Sequence, residues 1–307
     1  MDYFVKVDGG LGRSIASTGA VEQYALNKNK DDRVFVVTGY PFVFDNLDGI
    51  ERVLKLDHVT LFEDYLFNGE YVEVEPYNSS FHYRENNHLA STWNYLLNKD
   101  TGFVRPKIVL SKNELEMGKK WVEEARKKSC KKVLLFQPWG MFAGMKTSIN
   151  SDEINFDESY RSLELNTVNA LVSKFGKDFE VYLVKDNNQS NVNGAISFTE
   201  NPRLIFSILP FVDGVVCVDS FLQHACKAVE TKCPVVVFWG GTNPKQFGYK
   251  EFNNIEKDFD RKVEPIRLPH DHSYYVRKNK DCNVFSEEIE DDCVEFVKGD
   301  RLGKKVK

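Results

Sequence analysis

The stretch Val215-Val216-Cys217-Val218-Asp219-Ser220-Phe221-Leu222-Gln223-His224-Ala225, running on to Pro234-Val235-Val236-Val237-Phe238-Trp239-Gly240-Gly241-Thr242-Asn243-Pro244, decides the fold class. Two β-branched apolar runs flank an amphipathic segment, and each run ends in small polar residues. That is a buried strand, a helix and a second buried strand, the repeating unit of a parallel sheet.

The same alternation extends outward in both directions. Strands are expected at Tyr3–Val7, Val34–Thr38, Arg52–Leu56 and Tyr71–Glu75, with helices at Arg13–Leu26 and Asn87–Leu97. A charged helix over Lys112–Lys128, interrupted by Gly118, leads into a second series. There the strands are Lys132–Gln137, Phe179–Val184, Gly214–Val218 and Pro234–Phe238, and the helices are Leu163–Phe175, Pro202–Leu209 and Ser220–Glu230. Two such series, joined near residues 110–131, predict an α/β protein of two Rossmann-like, doubly wound domains facing a central cleft. The expected division is 1–128, 129–275 and a polar C-terminal segment 276–307, free to pack back on the N-terminal domain. Its last residues, Gly303–Lys307, are expected to fray.

Composition narrows the class. The chain has 307 residues, 42% hydrophobic and 28% charged, which excludes collagen-like and wholly disordered chains. Lys plus Arg is 41 against 46 for Asp plus Glu, a net charge of −5, so the chain as a whole is not a dedicated duplex binder. The N-terminus lacks a signal-peptide pattern, and no apolar run is long enough to span a bilayer. Cys130, Cys217, Cys226, Cys233, Cys282 and Cys293 form no C-x-x-C pair. Reduced thiols and a cytoplasmic location are the expectation.

Three constellations carry chemistry. The first, Asp8-Gly9-Gly10-Leu11-Gly12-Arg13-Ser14, is a glycine-rich turn between strand and helix, where backbone approaches a ligand closely. It is no Walker loop, and Ile15 stands where a dinucleotide fingerprint needs its third glycine. A plain tight turn has the same spelling. The second is Asp219-Ser220 with His224 one helical turn on, followed by the Gly240-Gly241-Thr242 loop. Helix N–H groups, a hydroxyl and an imidazole on one side suit a diphosphate, and they also suit a capped helix with a satisfied histidine. The third pairs Gln137-Pro138-Trp139-Gly140 with Ser159-Tyr160-Arg161-Ser162-Leu163. An arginine at a helix start opposes the macrodipole, so it reads either as facing an anion or as a solvated surface residue.

With these motifs quoted, Phe211–Tyr249 resembles the signature of glycosyltransferase family 9, the ADP-heptose:lipopolysaccharide heptosyltransferases. That signature is an Asp-Ser/Thr-x-x-x-His helix start, a strand and a Gly-x-Thr-x-Pro loop. The other two motifs match more loosely. The resemblance implies a GT-B fold, with acceptor on the N-terminal domain and nucleotide sugar on the C-terminal one. It implies inverting transfer to an acceptor hydroxyl, with no required metal and no cofactor beyond the nucleotide-sugar co-substrate. Asp219, Ser220 and His224 would hold the donor's phosphates and sugar, Arg161 would replace the family's phosphate-binding lysine, and Gly241 and Thr242 would border the pocket. Asp186, just after its strand, is placed toward the ribose by position alone.

One departure is informative. The family usually has Asp directly after its glycine turn as the base, whereas this chain has Arg13, which cannot take a proton at neutral pH. Asp8 is the nearest carboxylate in sequence, as a base or as a strand-end residue bonding its own turn. Gly9, Gly10, Gly12 and Arg13 then form the acceptor side, where the arginine charge suits a phosphate-bearing acceptor.

The leading acceptor by resemblance is a surface saccharide. A phage-type enzyme glycosylating hydroxymethylated DNA bases is an alternative, which would need a flipped base and a basic rim. Lys119, Lys120, Arg126, Lys127, Lys128, Lys131 and Lys132 could supply one, although interleaved glutamates favour a solvated face. A non-catalytic nucleotide-sugar-binding protein is a second alternative, and a nicotinamide oxidoreductase a weaker third. Asp258-Phe259-Asp260 and His270-Asp271-His272 spell short metal motifs without the surrounding pattern such sites need. His88 and Trp93 on the Asn87–Leu97 helix fit core packing and acceptor contact equally.

Overall fold

The structure is a computed structural model that describes residues 1–140, 161–187, 189–256, 266–267, 274–275 and 285–299. Ser159, Tyr160, the Asp258–Asp260 and His270–His272 motifs, Cys282 and the Gly303–Lys307 tail lie outside the described residues. The chain divides into two compact units, Met1–Lys112 with His224–Glu230, and Asn113–Gln223 with Thr231–Lys307.

In the first unit, β1 (Asp2–Val7), β2 (Arg33–Thr38), β3 (Ile50–Lys55) and β4 (Glu70–Glu73) form a parallel sheet in the order β3-β2-β1-β4. Alternation along the strands sends Phe4, Phe35, Val37 and Leu54 into one core cluster, where Phe4 and Phe35 stack at 4.9 Å. Helix α1 (Leu11–Leu26) packs against β1, β2 and helix α2 (Leu89–Asn98). It is buried on nearly every side, as a helix sandwiched between a sheet and another helix must be. It starts two residues earlier than the sequence predicts, so Gly12 and Arg13 lie in its first turn.

The second unit opens with α3 (Lys112–Ser129) and a six-stranded parallel sheet. Its strands are β5 (Lys132–Gln137), β6 (Phe179–Val184), β7 (Ala195–Phe198), β8 (Gly214–Val218), β9 (Val235–Trp239) and β10 (Asn253–Glu256), ordered β10-β9-β8-β5-β6-β7. Between them run α4 (Leu165–Phe175), α5 (Pro202–Ile208) and α6 (Phe221–Ala228). Leu134, Phe136, Val216, Val218, Val236 and Phe238 point to one face, against Val168, Leu171, Val172 and Phe175 of α4. Fully apolar strands of this kind are covered on both faces.

Two edge strands, β7 and β10, and the helix α7 (Glu287–Lys298) escape the sequence reading. The sequence leaves the C-terminal segment free to pack back on the N-terminal domain. Its buried residues Cys293, Val294 and Val297 are instead spent in the second unit's core. Gly118, which weakens the sequence case for α3, has a physical reason. It shares a buried stripe with Val122 and Ala125, and a Cβ there would lie 2.1 Å from the Ser207 carbonyl oxygen of α5. Three of the six basic residues of α3 have acidic partners: Lys119 pairs with Glu123, Lys120 with Glu124, and Arg126 with Asp213.

Candidate functional site

Ligands of open parallel sheets bind outside the carboxyl ends of the strands, where the winding reverses direction. The first sheet reverses between β1 and β4, the second between β5 and β8. The Asp8–Arg13 turn, after β1, lies at the first of these points, and Gln137, Asp219 and Ser220, at the ends of β5 and β8, lie at the second.

In the first unit, Asp8 follows β1 and is exposed, with its Oδ1 accepting the Gly9 N–H at 2.6 Å. Its Oδ2 lies 3.9 Å from Lys6 Nζ, which is held more tightly by Glu73 at 2.7 Å. Gly9 has φ +99°, a region that L side chains avoid, and Gly10 is the N-cap of α1. The turn is thus built by its glycines and closed by Asp8.

Arg13 is buried, and its charge is not offered to a ligand. Its Nη1 lies 3.0 Å from Glu75 Oε2, and its guanidinium carbon sits 5.2 Å from the Tyr77 ring and 5.5 Å from the Trp93 ring. Glu75 Oε1 accepts the Tyr77 N–H at 3.1 Å. A cation held by a carboxylate and two aromatic faces is neutralised within its own unit. The expectation that Arg13 makes the acceptor side positive is therefore corrected. Glu75 and Tyr77 lie far from Arg13 in sequence, and no local pattern links them. His82, in the same unit, is buried, and burial pulls its pKa down to about 4. Trp93 is fully buried, so the core reading of that helix position is the one observed.

At the reversal of the second sheet, Gln137 ends β5 and is in register with Cys217 of β8, two residues before Asp219. Asp219 is buried, and Gln223 Nε2 donates to its Oδ1 at 2.7 Å. Burial pushes the Asp219 carboxyl above the ordinary range. The Arg161 charge and the Gln223 amide pull the other way. The Thr242 hydroxyl, buried and without a hydrogen-bond partner of its own among the described residues, lies near enough to act in the same sense. Arg161, Asp219 and Thr242, from three separated motifs, therefore meet at one place. Two backbone-linked contacts carry the Arg161 segment there: Leu163 N–H donates to Pro138 O at 2.8 Å, and Gly140 N–H to Ser162 Oγ at 3.1 Å. Helix α4 begins only at Leu165, so Arg161 precedes it rather than standing in its first turn.

Gly241 is buried and Thr242 half-buried in the loop after β9, which Trp239 stiffens by donating to Asn254 at 2.9 Å. Tyr249, which ends this motif, is buried close enough to Asp219 that the carboxylate and burial both raise its phenol. Ser220 is half-buried. His224 lies on the same helix, buried, with its pKa lowered to about 3 by desolvation alone. It is a neutral imidazole at physiological pH, able to donate one hydrogen bond but no charge. Asp186 stands apart, exposed, its backbone tied to Gln189, which donates to Gly140 O at 3.0 Å. Gln137 and Gln223 are the residues that motif reading passes over, although both sit inside quoted motifs. Among the described residues, no group of three His, Cys, Asp or Glu side chains is arranged to hold a metal ion.

No protein-family model matches the chain, and no curated protein matches it in sequence. Solved structures do match in fold. A glycosyl transferase family 9 protein from Veillonella parvula superimposes with a TM-score of 0.59 at 10% identity, over 98% of each chain. The ADP-heptose lps heptosyltransferase II of E. coli gives 0.58 at 11% identity, over 84% of this chain and 91% of its own. The dodecameric iron-containing heptosyltransferase TibC, in complex with ADP-D-beta-D-heptose, gives 0.61 at 12% identity, over 97% of this chain and 75% of its own. The chain thus has the two-unit α/β fold of these glycosyltransferases, as the sequence motifs lead one to expect. Among the described residues, no helix is long and apolar enough to cross a membrane.

Proposed function

We propose that this protein is an inverting glycosyltransferase that moves a sugar from a nucleoside-diphosphate donor to an acceptor hydroxyl. The observation that carries the reading is the meeting of Arg161, Asp219 and Thr242 at the reversal of the second sheet. A permanent cation beside the start of α6 suits a departing diphosphate, whose charge grows as the bond to the sugar breaks. Arg161, Ser220 and the α6 N-terminus stabilise that charge, and neutral His224 donates a hydrogen bond. These groups take the part that a metal plays elsewhere, so the transfer is proposed as metal-independent. Gly241 and Thr242 border the donor, and Asp186 is assigned to the ribose side on position alone.

The acceptor is assigned to the first unit, where Asp8, exposed at a strand end, is the proposed base that takes the proton of its attacking hydroxyl. ADP is the first nucleotide to test, because TibC was solved with ADP-D-beta-D-heptose. A saccharide remains the leading acceptor. Three of the seven basic residues considered for a nucleic-acid rim, Lys119, Lys120 and Arg126, have acidic partners, which weighs against the modified-DNA reading. A donor-binding protein without turnover is the second reading, favoured by the Asp8 carboxylate closing its own turn.

Incubation with ADP-heptose and a saccharide acceptor, with ADP release followed, tests the proposal. Turnover that Asp8→Asn lowers by roughly two or more orders of magnitude, with donor affinity intact, is expected. Binding without ADP release from any donor and acceptor pair supports the second reading.

A further inference from the structure

Among the described residues, the second unit's strand ends hold two buried hydrogen-bond acceptors without a partner, beside a buried Thr242 hydroxyl that is likewise unpartnered. Gln137 and Gln223 are 4% and 0% exposed, and the side-chain carbonyl oxygen of each lacks a donor among the described residues. Gln223 spends its amide on Asp219, which adds a carboxylate to the same place. Gln137 lies on the neighbouring strand, in register with Cys217 just before Asp219. Buried carbonyl oxygens without donors are rare in folded proteins, and each such group calls for a partner. An anion is the wrong partner, because oxygen acceptors repel it. Arg161 is the cation at this point, so the strand ends are divided between a cationic part and an acceptor part.

We infer that Gln137 and Gln223 read the hydroxyl groups of the donor's sugar, and so determine specificity for a hydroxyl-rich sugar conjugate over the bare nucleoside diphosphate. This rests on the nucleotide-sugar reading of the same site and adds two residues and a discrimination to it. A sugar hydroxyl can donate to each carbonyl oxygen, whereas a diphosphate cannot. A buried polar site of this kind penalises the ligand that leaves it unpaired.

Calorimetry on the full chain tests the inference with three matched pairs: ADP and ADP-glucose, UDP and UDP-glucose, GDP and GDP-mannose. The wild type is expected to bind one conjugate about tenfold or more tightly than its bare diphosphate. Gln137→Met keeps the side-chain length but removes the acceptor, whereas Gln223→Met removes the acceptor together with the amide that donates to Asp219. Both should cut that preference toward unity, and Gln137→Met should do so while leaving diphosphate affinity within about twofold. Gln137→Glu, which keeps an acceptor oxygen in place, should retain the preference. Should Gln223→Met fail to fold, the Gln137 variants alone decide. An unchanged preference in the methionine variants overturns the inference, as does an equal loss for diphosphate and conjugate. A wild type that binds a diphosphate without preferring its conjugate overturns the inference and leaves the diphosphate site standing. A wild type that binds no member of any pair overturns both.

Discussion

Replacing Gly118 with alanine sets two physical effects of opposite sign against each other. In an ordinary helix interior the change stabilises by about 1 kcal/mol, because alanine has the higher helix propensity. Here the new Cβ would lie 2.1 Å from the Ser207 carbonyl oxygen and 2.4 Å from its carbon, both backbone atoms. Relief to ordinary contact needs α3 and α5 to separate by about 1 Å, since real carbon–oxygen contacts start near 3.2 Å. Separation is opposed one turn earlier, where Arg203 grips Glu114 through two bonds of 2.7 Å. It is also opposed two turns later, where Arg126 holds Asp213 at 2.8 and 3.1 Å and Phe211 O at 2.7 Å. Overpacking of this kind costs about 3 kcal/mol, so the net effect is a loss of about 2 kcal/mol. That corresponds to a melting temperature lower by about 4–8 °C. Urea unfolding followed by circular dichroism gives the sign directly. An unchanged or raised midpoint for Gly118→Ala refutes the close crossing of the two helices.

Three further outcomes are expected. Unfolded histidine titrates near 6.5, but folded His82 and His224 titrate at about 4 and about 3, so the unfolded chain binds more protons in between. The stability they confer is complete above pH ~6.5 and is lost as the pH falls. By pH 5 the loss amounts to about 2 kcal/mol per ring, which urea midpoints at pH 7.5 and 5 would register and His82→Asn would partly flatten. Glu75→Gln leaves the buried Arg13 cation uncompensated and should cost about 3 kcal/mol, whereas adding Arg13→Met should recover most of it in a double-mutant cycle. Arg161→Ala removes the cation beside Asp219 and should weaken nucleoside-diphosphate binding by about tenfold or more, measured by calorimetry at a temperature where circular dichroism shows the variant folded.

The central strands are legible in the sequence because burial on both faces writes them as unbroken apolar runs. Lys132–Gln137, Phe179–Val184 and Gly214–Val218 are predicted with the boundaries observed. Ala195–Phe198 is hidden by being a short edge strand, with Ile196 partly open to solvent. Glu287–Lys298 reads as a polar tail because its acidic residues outnumber the few, correctly spaced, buried ones, although three glutamates in its first turn are a helix-start signal. At the donor site, Asp219, Arg161 and Thr242 are each visible within a motif, and the fold supplies their meeting. The Arg13–Glu75 pair could not be read, since it joins a helix start to the segment after a different strand. A charge read from one motif alone looked available, and only the long-range partner shows it spent.

Nucleotide binding tests the central claim most directly. A thermal-shift series with ADP, UDP, GDP, CMP and their sugar conjugates, and NAD as the contrast, would report it. A ligand at roughly 100 times its dissociation constant adds about 2.7 kcal/mol, a shift of several degrees. The account predicts selective stabilisation by one nucleotide and its conjugate, cut to about half or less by Arg161→Ala at the same ligand concentration. Stabilisation by NAD alone, or by none of the series, would contradict it.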